Sequence, residues 1–367
     1  MRFSAAVVAS VAATLVAAHP GADIQQELRE RQEFTANSKR TNLGHCAAKH
    51  KARGIEERAI ERRSNLAAMN AKRGILARDP SDINKTHLSD ADFDETTPLQ
   101  TVFAQDASCV LSPEETEGPY YVSGEYVRAD VREAQEGVPL YLDVAIYDVE
   151  TCEPITDHWF EIWQCNSTGV YAGVGSGGNF TEAPENLNNT FLRGFQLTDD
   201  DGAVQFLTTY PGHYSGRTQH IHVGVHPNAT ARDNGTIYDL TANHVGQLYF
   251  DQDLSDAVEV YSPYNTNTQP ITTNEEDFLL LDGLATSDPI VQYVLLGDDV
   301  SDGLLAWISF GVNTTYTRTI MDAATYYESG GVSNGGGAGG PGGPGGPPPS
   351  GFPSGPGGPI PTAPPRL

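Results

Sequence analysis

Thr208–Val223 reads TTYPGHYSGRTQHIHV, and the chain runs on as GVHP through Pro227. Pro211-Gly212 turns the chain, and the apolar-rich run that follows has the character of a β-strand. Residues two apart on a strand share a face, so His220 and His222 point one way and Ile221 the other. A buried imidazole needs a partner. One histidine ordinarily finds a backbone carbonyl. Two on the same face are better explained by a shared metal, because neutral imidazole is a common ligand. Tyr214 lies on the preceding loop, and Arg217 stands three residues before His220. A cation beside a metal calls for anionic company, from a tyrosinate or an anionic substrate. A hard ferric ion suits phenolate oxygen and accepts imidazole nitrogen as well.

The texture on both sides of this stretch is the same. PLYLDVAIYDV, WFEIWQC, FLRGFQL, AVQFLTTY and HIHVGVHP are short β-rich runs, separated by turn signals such as Asp201-Gly202. They predict a mainly β fold, a two-sheet β-sandwich over residues 106–328. GLLAWISFGV reads as a last core strand. DFLLLDGLA and DPIVQYVLLGDD read as short helices or loops between late strands. Ahead of the sandwich, residues 19–105 read as a basic helical extension or pro-segment plus a linker. Its helical parts are DIQQELRERQEF and KARGIEERAIERRSNLAAMNAKRGILA, whose charge pattern suits a solvated helix surface. Lys39-Arg40 and Lys72-Arg73 are candidate processing sites within it. Residues 329–367 form a Gly/Pro-rich tail without a strict triplet repeat, read as disordered, with wall contact as one expected use.

Charge is divided unevenly along the chain. Residues 1–85 hold 15 Lys/Arg against 9 Asp/Glu, and the rest holds 7 against 39. A body that acidic repels phosphate backbones and anionic lipid, which argues against nucleic acid and membrane partners. Arg2, the apolar run AAVVASVAATLVAA and the small residues before His19 form a signal-peptide pattern over residues 1–18, so a secreted, extracellular protein is expected. The sequons at Asn84, Asn166, Asn179, Asn188, Asn228, Asn234 and Asn313 agree with that route. In an oxidising compartment Cys46, Cys109, Cys152 and Cys165 are disulfide candidates, in any of three pairings. A Cys46–Cys109 bond would tether the N-terminal segment.

YPGHYSGRTQHIHV resembles the metal-binding segment of the intradiol ring-cleavage dioxygenases, non-haem Fe(III) enzymes that open catechols between their two hydroxyls. Three further stretches carry the resemblance over roughly residues 105–315. They are VLSPEETEGPYY with its Glu-Gly-Pro-aromatic motif, WFEIWQCNSTGVYAG with a Gly-x-Tyr, and HVGQLYFDQD with a glutamine. The signal peptide and the short Tyr-to-His spacing look closest to a secreted fungal branch. The resemblance implies that Tyr171, Tyr214, His220 and His222 hold the iron, with Tyr214 and His222 axial. It implies that Tyr214 takes a substrate proton, that Arg217 stabilises developing charge, and that Gln247 is an active-site residue. The match at Gln247 is loosened by the long spacer PNATARDNGTIYDLTANHV. The expected partners are an aromatic diol and O2, with a homodimer as a further expectation, and the expected product is a muconate-type diacid. Tyr120 and Tyr121 are candidate pocket walls, Trp163 a core residue, and His213 and His226 residues at the surface or just behind the ligands. Two other readings stay open: a secreted cupin-like copper or manganese protein, which would want a further Glu and His at strand spacing where HVGQLYF offers His244 only, and a non-catalytic surface protein on a dioxygenase scaffold.

Overall fold

The computed structural model describes residues 43–70, 103, 109–110, 118–175, 183–284 and 287–334. Its helices are α1 (Ala47–Ala52), α2 (Ile55–Asn70), α3 (Gln252–Glu259) and α4 (Phe278–Leu284). Its strands are β1 (Cys109–Val110), β2 (Val122–Ser123), β3 (Glu125–Tyr126), β4 (Pro139–Asp148), β5 (Trp159–Trp163), β6 (Arg193–Leu197), β7 (Ala203–Thr209), β8 (His220–His226), β9 (Thr236–Ile237), β10 (Thr241–Ala242), β11 (His244–Tyr249), β12 (Gln292–Leu295), β13 (Leu304–Val312), β14 (Arg318–Thr319), β15 (Ala324–Tyr327) and β16 (Gly330–Ser333).

Two sheets lie at the centre. The first runs β1-β13-β4-β7, with β12 also on β13, and β13 is parallel to both β1 and β4. The second runs β11-β8-β5-β6 and is antiparallel throughout. Strand alternation explains how they stack. Leu140, Leu142, Val144 and Ile146 of β4, Phe206 of β7, and Ile308 and Phe310 of β13 meet Phe160 and Ile162 of β5, Ile221, Val223 and Val225 of β8, and Leu248 of β11 in one buried cluster. The fold is therefore the mainly β, two-sheet sandwich that the alternating runs predict.

The same alternation decides where the histidines go. With Ile221, Val223 and Val225 turned to the core, His220, His222 and His226 face the outer side of the second sheet. A second apolar cluster covers that side, built from Tyr120, Tyr121, Trp163, Tyr171, Tyr214, Val245 and Ile320. The outer side of the second sheet is thus a buried layer with its own chemistry.

On the far side of the first sheet lies the N-terminal segment. Leu66, Ala67 and Phe103 pack on Val294, Leu305 and Trp307, and Leu43, Cys46 and Ile55 pack on Ala145 and Tyr147. Asp143 of β4 is fully buried. It accepts from Arg62 Nε at 2.7 Å and Nη2 at 3.0 Å, from Arg63 Nε at 3.1 Å, and from Gln205 Nε2 at 3.1 Å. Helix α2 is therefore solvated on one face only, the one that carries Glu56, Glu57, Arg58 and Glu61, while Arg63 on the other is 1% exposed. The helical reading holds for Ala47–Ala52 and Ile55–Asn70, interrupted at Gly54 with φ +64°. Its other parts, with Lys39-Arg40 and Lys72-Arg73, lie outside the described residues.

Cys46 bonds to Cys152, not to Cys109, while Cys165 is free and buried. DFLLLDGLA supplies α4, and DPIVQYVLLGDD supplies strand β12. The short helix α3 is not anticipated from the sequence. The ordered chain also passes Glu328, where the tail was expected to begin. β16 pairs with β15, and a side chain at Gly331 would collide with the Leu187 carbonyl. The Gly/Pro-rich remainder lies outside the described residues. No helix among them is long and apolar enough to cross a membrane.

Candidate metal centre

Two loops and one strand bring the predicted ligands together. Tyr171 comes from the loop after β5, Tyr214 from the loop after β7, and His220 and His222 from β8. His220 Nε2 is the meeting point. Tyr171 Oη is 3.4 Å from it, Tyr214 Oη 3.2 Å, and His222 Nε2 3.2 Å. None of the four residues is more than 1% exposed.

The His220 ring is fixed in its tautomer by the backbone. Nδ1 donates to the Thr218 carbonyl at 2.6 Å, which leaves Nε2 a lone pair aimed at the other three atoms. One lone pair accepts one good hydrogen bond, so three close neighbours around it exceed what hydrogen bonding explains. Donor atoms each about 2.1 Å from a common ion stand about 3.0–3.4 Å apart, the spacing seen here. Two phenols and two imidazoles thus fit a metal. Burial drives both phenols well above the ordinary tyrosine value, with Arg217 acting the other way. Phenols held neutral by burial ionise readily only beside added positive charge, which a metal would bring.

The two tyrosine loops touch through glycines. A side chain at Gly169, φ +80°, would strike the His213 carbonyl, and one at Gly212 would lie 2.5–2.6 Å from the Ser167 and Asn166 carbonyls. Asn166 ties the crossing together. Its Oδ1 accepts from Thr168 N at 3.1 Å and Val170 N at 3.0 Å, and its own carbonyl accepts from Gly212 N at 3.2 Å. Nδ2 of Asn166, the atom a glycan would take, donates to Gln135 at 3.0 Å.

Sheet register builds the wall beneath the phenols. Arg193, Trp163, His222 and Gln247 form one row across β6, β5, β8 and β11. Trp163 stacks on His222, 4.8 Å between centroids and 9° between planes. It is core as expected, and it also fixes the imidazole plane. Tyr120 stacks on Tyr171 at 4.6 Å and meets Tyr214 edge-on at 6.1 Å, as a pocket wall would. Tyr121 instead packs on Trp163, away from the phenols. Arg193 sits behind Tyr171, 5.9 Å from its ring, and donates to the carbonyls of Ala172 and Tyr120.

Arg217 is fully buried. Its Nε donates to Asp277 Oδ2 at 2.8 Å, and its Nη2 to Gln247 Oε1 at 2.5 Å and Tyr249 Oη at 2.8 Å. Tyr249 in turn donates to Gln247 at 2.8 Å. Gln247, the least secure of the predicted residues, is therefore joined to Arg217 directly. Sequence reasoning missed Tyr249 and Asp277. A register argument could have found Tyr249, which pairs with His220. Nothing local points to residue 277.

Of the two places open to His213 and His226, the surface is excluded for both. His213 is buried and bonds Glu259 at 2.8 Å and the Gln269 carbonyl at 3.0 Å, fastening the Tyr214 loop to α3 and the segment beyond it. His226 is buried between Glu161 at 3.2 Å and Asp239 at 3.7 Å. Burial lowers its pKa, but the two carboxylates outweigh burial and raise it to about 9. Among the described residues the one close His/Cys grouping, His45 with Cys46 and Cys152, is built on the disulfide and so offers no thiolate.

A family model described as Dioxygenase matches residues 116–267. An intradiol ring-cleavage dioxygenase from Tetranychus urticae is 32% identical in sequence, the match covering 57% of this chain and 97% of that one, with a TM-score of 0.45. The dioxygenase domain of a dioxygenase carbohydrate-binding protein fusion from Streptomyces sp. SirexAA-E is 24% identical over 55% of this chain and 97% of that one, TM-score 0.34. Catechol 1,2-dioxygenase from Pseudomonas arvilla C-1 is 16% identical over 55% and 62%, TM-score 0.33. No curated protein sequence matches the chain.

Proposed function

The chain belongs to the intradiol ring-cleavage dioxygenase family, and from that premise we propose that it is an Fe(III)-dependent enzyme cleaving catechol-type aromatic diols with O2. In the overall reaction the bond between the two hydroxyl-bearing carbons breaks. Both oxygen atoms of O2 enter the product, a muconate-type diacid. The observation that carries this reading is the convergence of Tyr171 Oη, Tyr214 Oη and His222 Nε2 on His220 Nε2 at 3.2–3.4 Å in a fully buried layer. The mixed phenol and imidazole donor set suits a hard trivalent ion better than zinc or copper.

Tyr171, Tyr214, His220 and His222 would hold the iron, which when bound supplies a Lewis acid that polarises the diol and opens its ring to O2. The remaining work belongs to the chain. Thr218 keeps the proton of His220 on Nδ1, away from the donor cluster. Tyr214 Oη, once ionised, is a base within the site for one hydroxyl proton of the diol. Arg217 directs a fixed cation toward the layer that holds the phenols. Gln247 and Tyr249 hold its guanidinium in place, so it is preorganised for negative charge that develops on the ring. The covering cluster keeps bulk water out.

The cupin-like alternative needed His244 beside the pair on β8. The His244 ring instead lies 5.1 Å from Phe310, a core residue between the sheets, so the geometry does not favour that reading. Export to an oxidising, extracellular setting is part of the proposal, supported by the N-terminal pattern and by the Cys46–Cys152 disulfide. Asn228 and Asn234 are exposed sequons suited to carry glycan.

The test is direct. Purified full-length protein should hold about one iron per chain, show a visible tyrosinate-to-iron charge-transfer band, and take up oxygen when given catechol. A colourless protein with stoichiometric zinc, inert toward every diol offered, overturns the reading.

A further inference from the structure

We infer that Asp277 sets the charge preference of this site, confining it to catechols that carry no anionic ring substituent. The inference rests on the reading of the site as a diol-cleaving centre and names the class of diol.

Asp277 is fully buried and strongly held. Its Oδ2 accepts from Arg217 Nε at 2.8 Å and Thr218 N at 2.9 Å. Its Oδ1 accepts from Leu279 N at 2.9 Å and Leu280 N at 3.1 Å, at the start of α4. Asp277 is the counterion of the Arg217 guanidinium on its Nε side. It also lies beyond residues 116–267, the stretch that the family model matches.

The consequence follows from charge. An arginine with no counterion would welcome a ring carboxylate. An arginine already paired with a buried carboxylate would meet that substrate with the Asp277 anion held 2.8 Å from its own Nε. Like charges brought to one guanidinium in a low-dielectric site repel on the order of 10- to 100-fold in binding. The other arginine that reaches the phenols is no substitute. Arg193 is buried behind the Tyr171 ring and engaged by the Ala172 and Tyr120 carbonyls. The donor cluster is bordered by the rings of Tyr120, Trp163 and Tyr249, which suit an uncharged aromatic.

The experiment compares catechol with 3,4-dihydroxybenzoate on the iron-loaded full-length protein. Both kcat/KM and the anaerobic dissociation constant are read, the latter from the change in the visible band. Wild type should favour catechol at least ten-fold in both. Asp277→Asn keeps a cap at α4 and an acceptor for Arg217 but removes the charge. In that variant the ratio should move at least ten-fold toward the carboxylated diol, with iron content and the unliganded spectrum unchanged. A variant in which both diols lose equally, leaving the ratio fixed, shows that Asp277 only supports the fold and overturns the inference. If the variant does not fold, wild type decides. Binding and turnover of the two diols within three-fold of each other overturns the inference, and a ten-fold preference supports it. Wild type that holds no iron and binds neither diol would instead sink the dioxygenase reading itself, an outcome separable from a shifted ratio.

Discussion

Arg217 shows how much one residue's environment adds to its identity. Its position three before His220 is visible in the sequence, and so is its isolation, with no other basic residue between Arg193 and Arg232. What it touches is not visible there. Fork geometry engages Asp277 through Nε and both Gln247 and Tyr249 through Nη2. Removing the side chain outright would strand a buried carboxylate, a loss of about 3–5 kcal/mol for an orphaned charge. Arg217→Lys is the cleaner test, because it keeps the charge and gives up the fork. We expect it to hold iron with an unchanged visible band while kcat falls on the order of 10²-fold. Full turnover in that variant would mean the charge alone matters and the orientation by Gln247 and Tyr249 does not. His220 and His222 are the opposite case. Their shared face follows from strand period alone, and the structure places them so.

At the scale of elements, the two tyrosine loops are held by backbone contact. Gly169 admits the His213 carbonyl, and Gly212 admits the carbonyls of Asn166 and Ser167. The phenols of Tyr171 and Tyr214 owe their spacing to that crossing. A methyl group at either glycine must push the loops apart, at about 1–3 kcal/mol for overpacking, with added strain at Gly169 from its positive φ. Gly212→Ala and Gly169→Ala should therefore lower iron content and shift or abolish the visible band, although neither removes a ligand. Wild-type spectra and one iron per chain in both would show that the crossing does not set the phenol positions. The stacking of Trp163 on His222 belongs to this scale too. It arises because β5 and β8 pair Trp163 with His222, a register that neither strand states by itself.

For the whole molecule, the N-terminal segment is the main revision. Read as a basic helical extension or pro-segment, it docks through a buried apolar cluster and a buried ion-pair group. Leu66, Ala67 and Phe103 cover Trp307, and Arg62 and Arg63 close on Asp143. It lies on the far face of the first sheet from the tyrosine and histidine cluster, so it supports the fold without entering the site. Burial by itself would raise the Asp143 pKa, but the two arginines outweigh burial and hold it at about 2. A carboxyl held below its unfolded value of roughly 3.9 stabilises the fold above that pH and loses the effect as pH falls toward about 2. The contribution is on the order of 2 kcal/mol. Asp143→Asn should lower the melting temperature at pH 7 and flatten the stability loss between about pH 4 and 2, as followed by thermal melts across that range. A variant with the wild-type acid limb would show that the cluster stays formed when Asp143 is protonated. The Cys46–Cys152 bond reinforces the same docking by closing a long loop, about 4–5 kcal/mol in the chain-entropy view.

The sequence by itself determined what depends on short-range periodicity and residue chemistry. The alternating runs established the sandwich, and the His-x-His spacing established a shared face. Tyr214 and Arg217 stood out because they crowd the same short stretch as the histidines, and Tyr171 through the resemblance of its Gly-x-Tyr motif to the dioxygenase family. The sequence could not decide pairings made across long separations. Cys46 meets Cys152 rather than Cys109, Asp277 reaches back to Arg217, and His226 is buried between Glu161 and Asp239. Nor could it show that a charge-rich helix buries an arginine, because charge pattern measures average solvation and not the single carboxylate waiting on β4. Such contacts depend on which strand lies beside which, and on which face of each sheet is covered. Only the packed chain fixes those two choices, since local alternation fits either side of a sheet equally well.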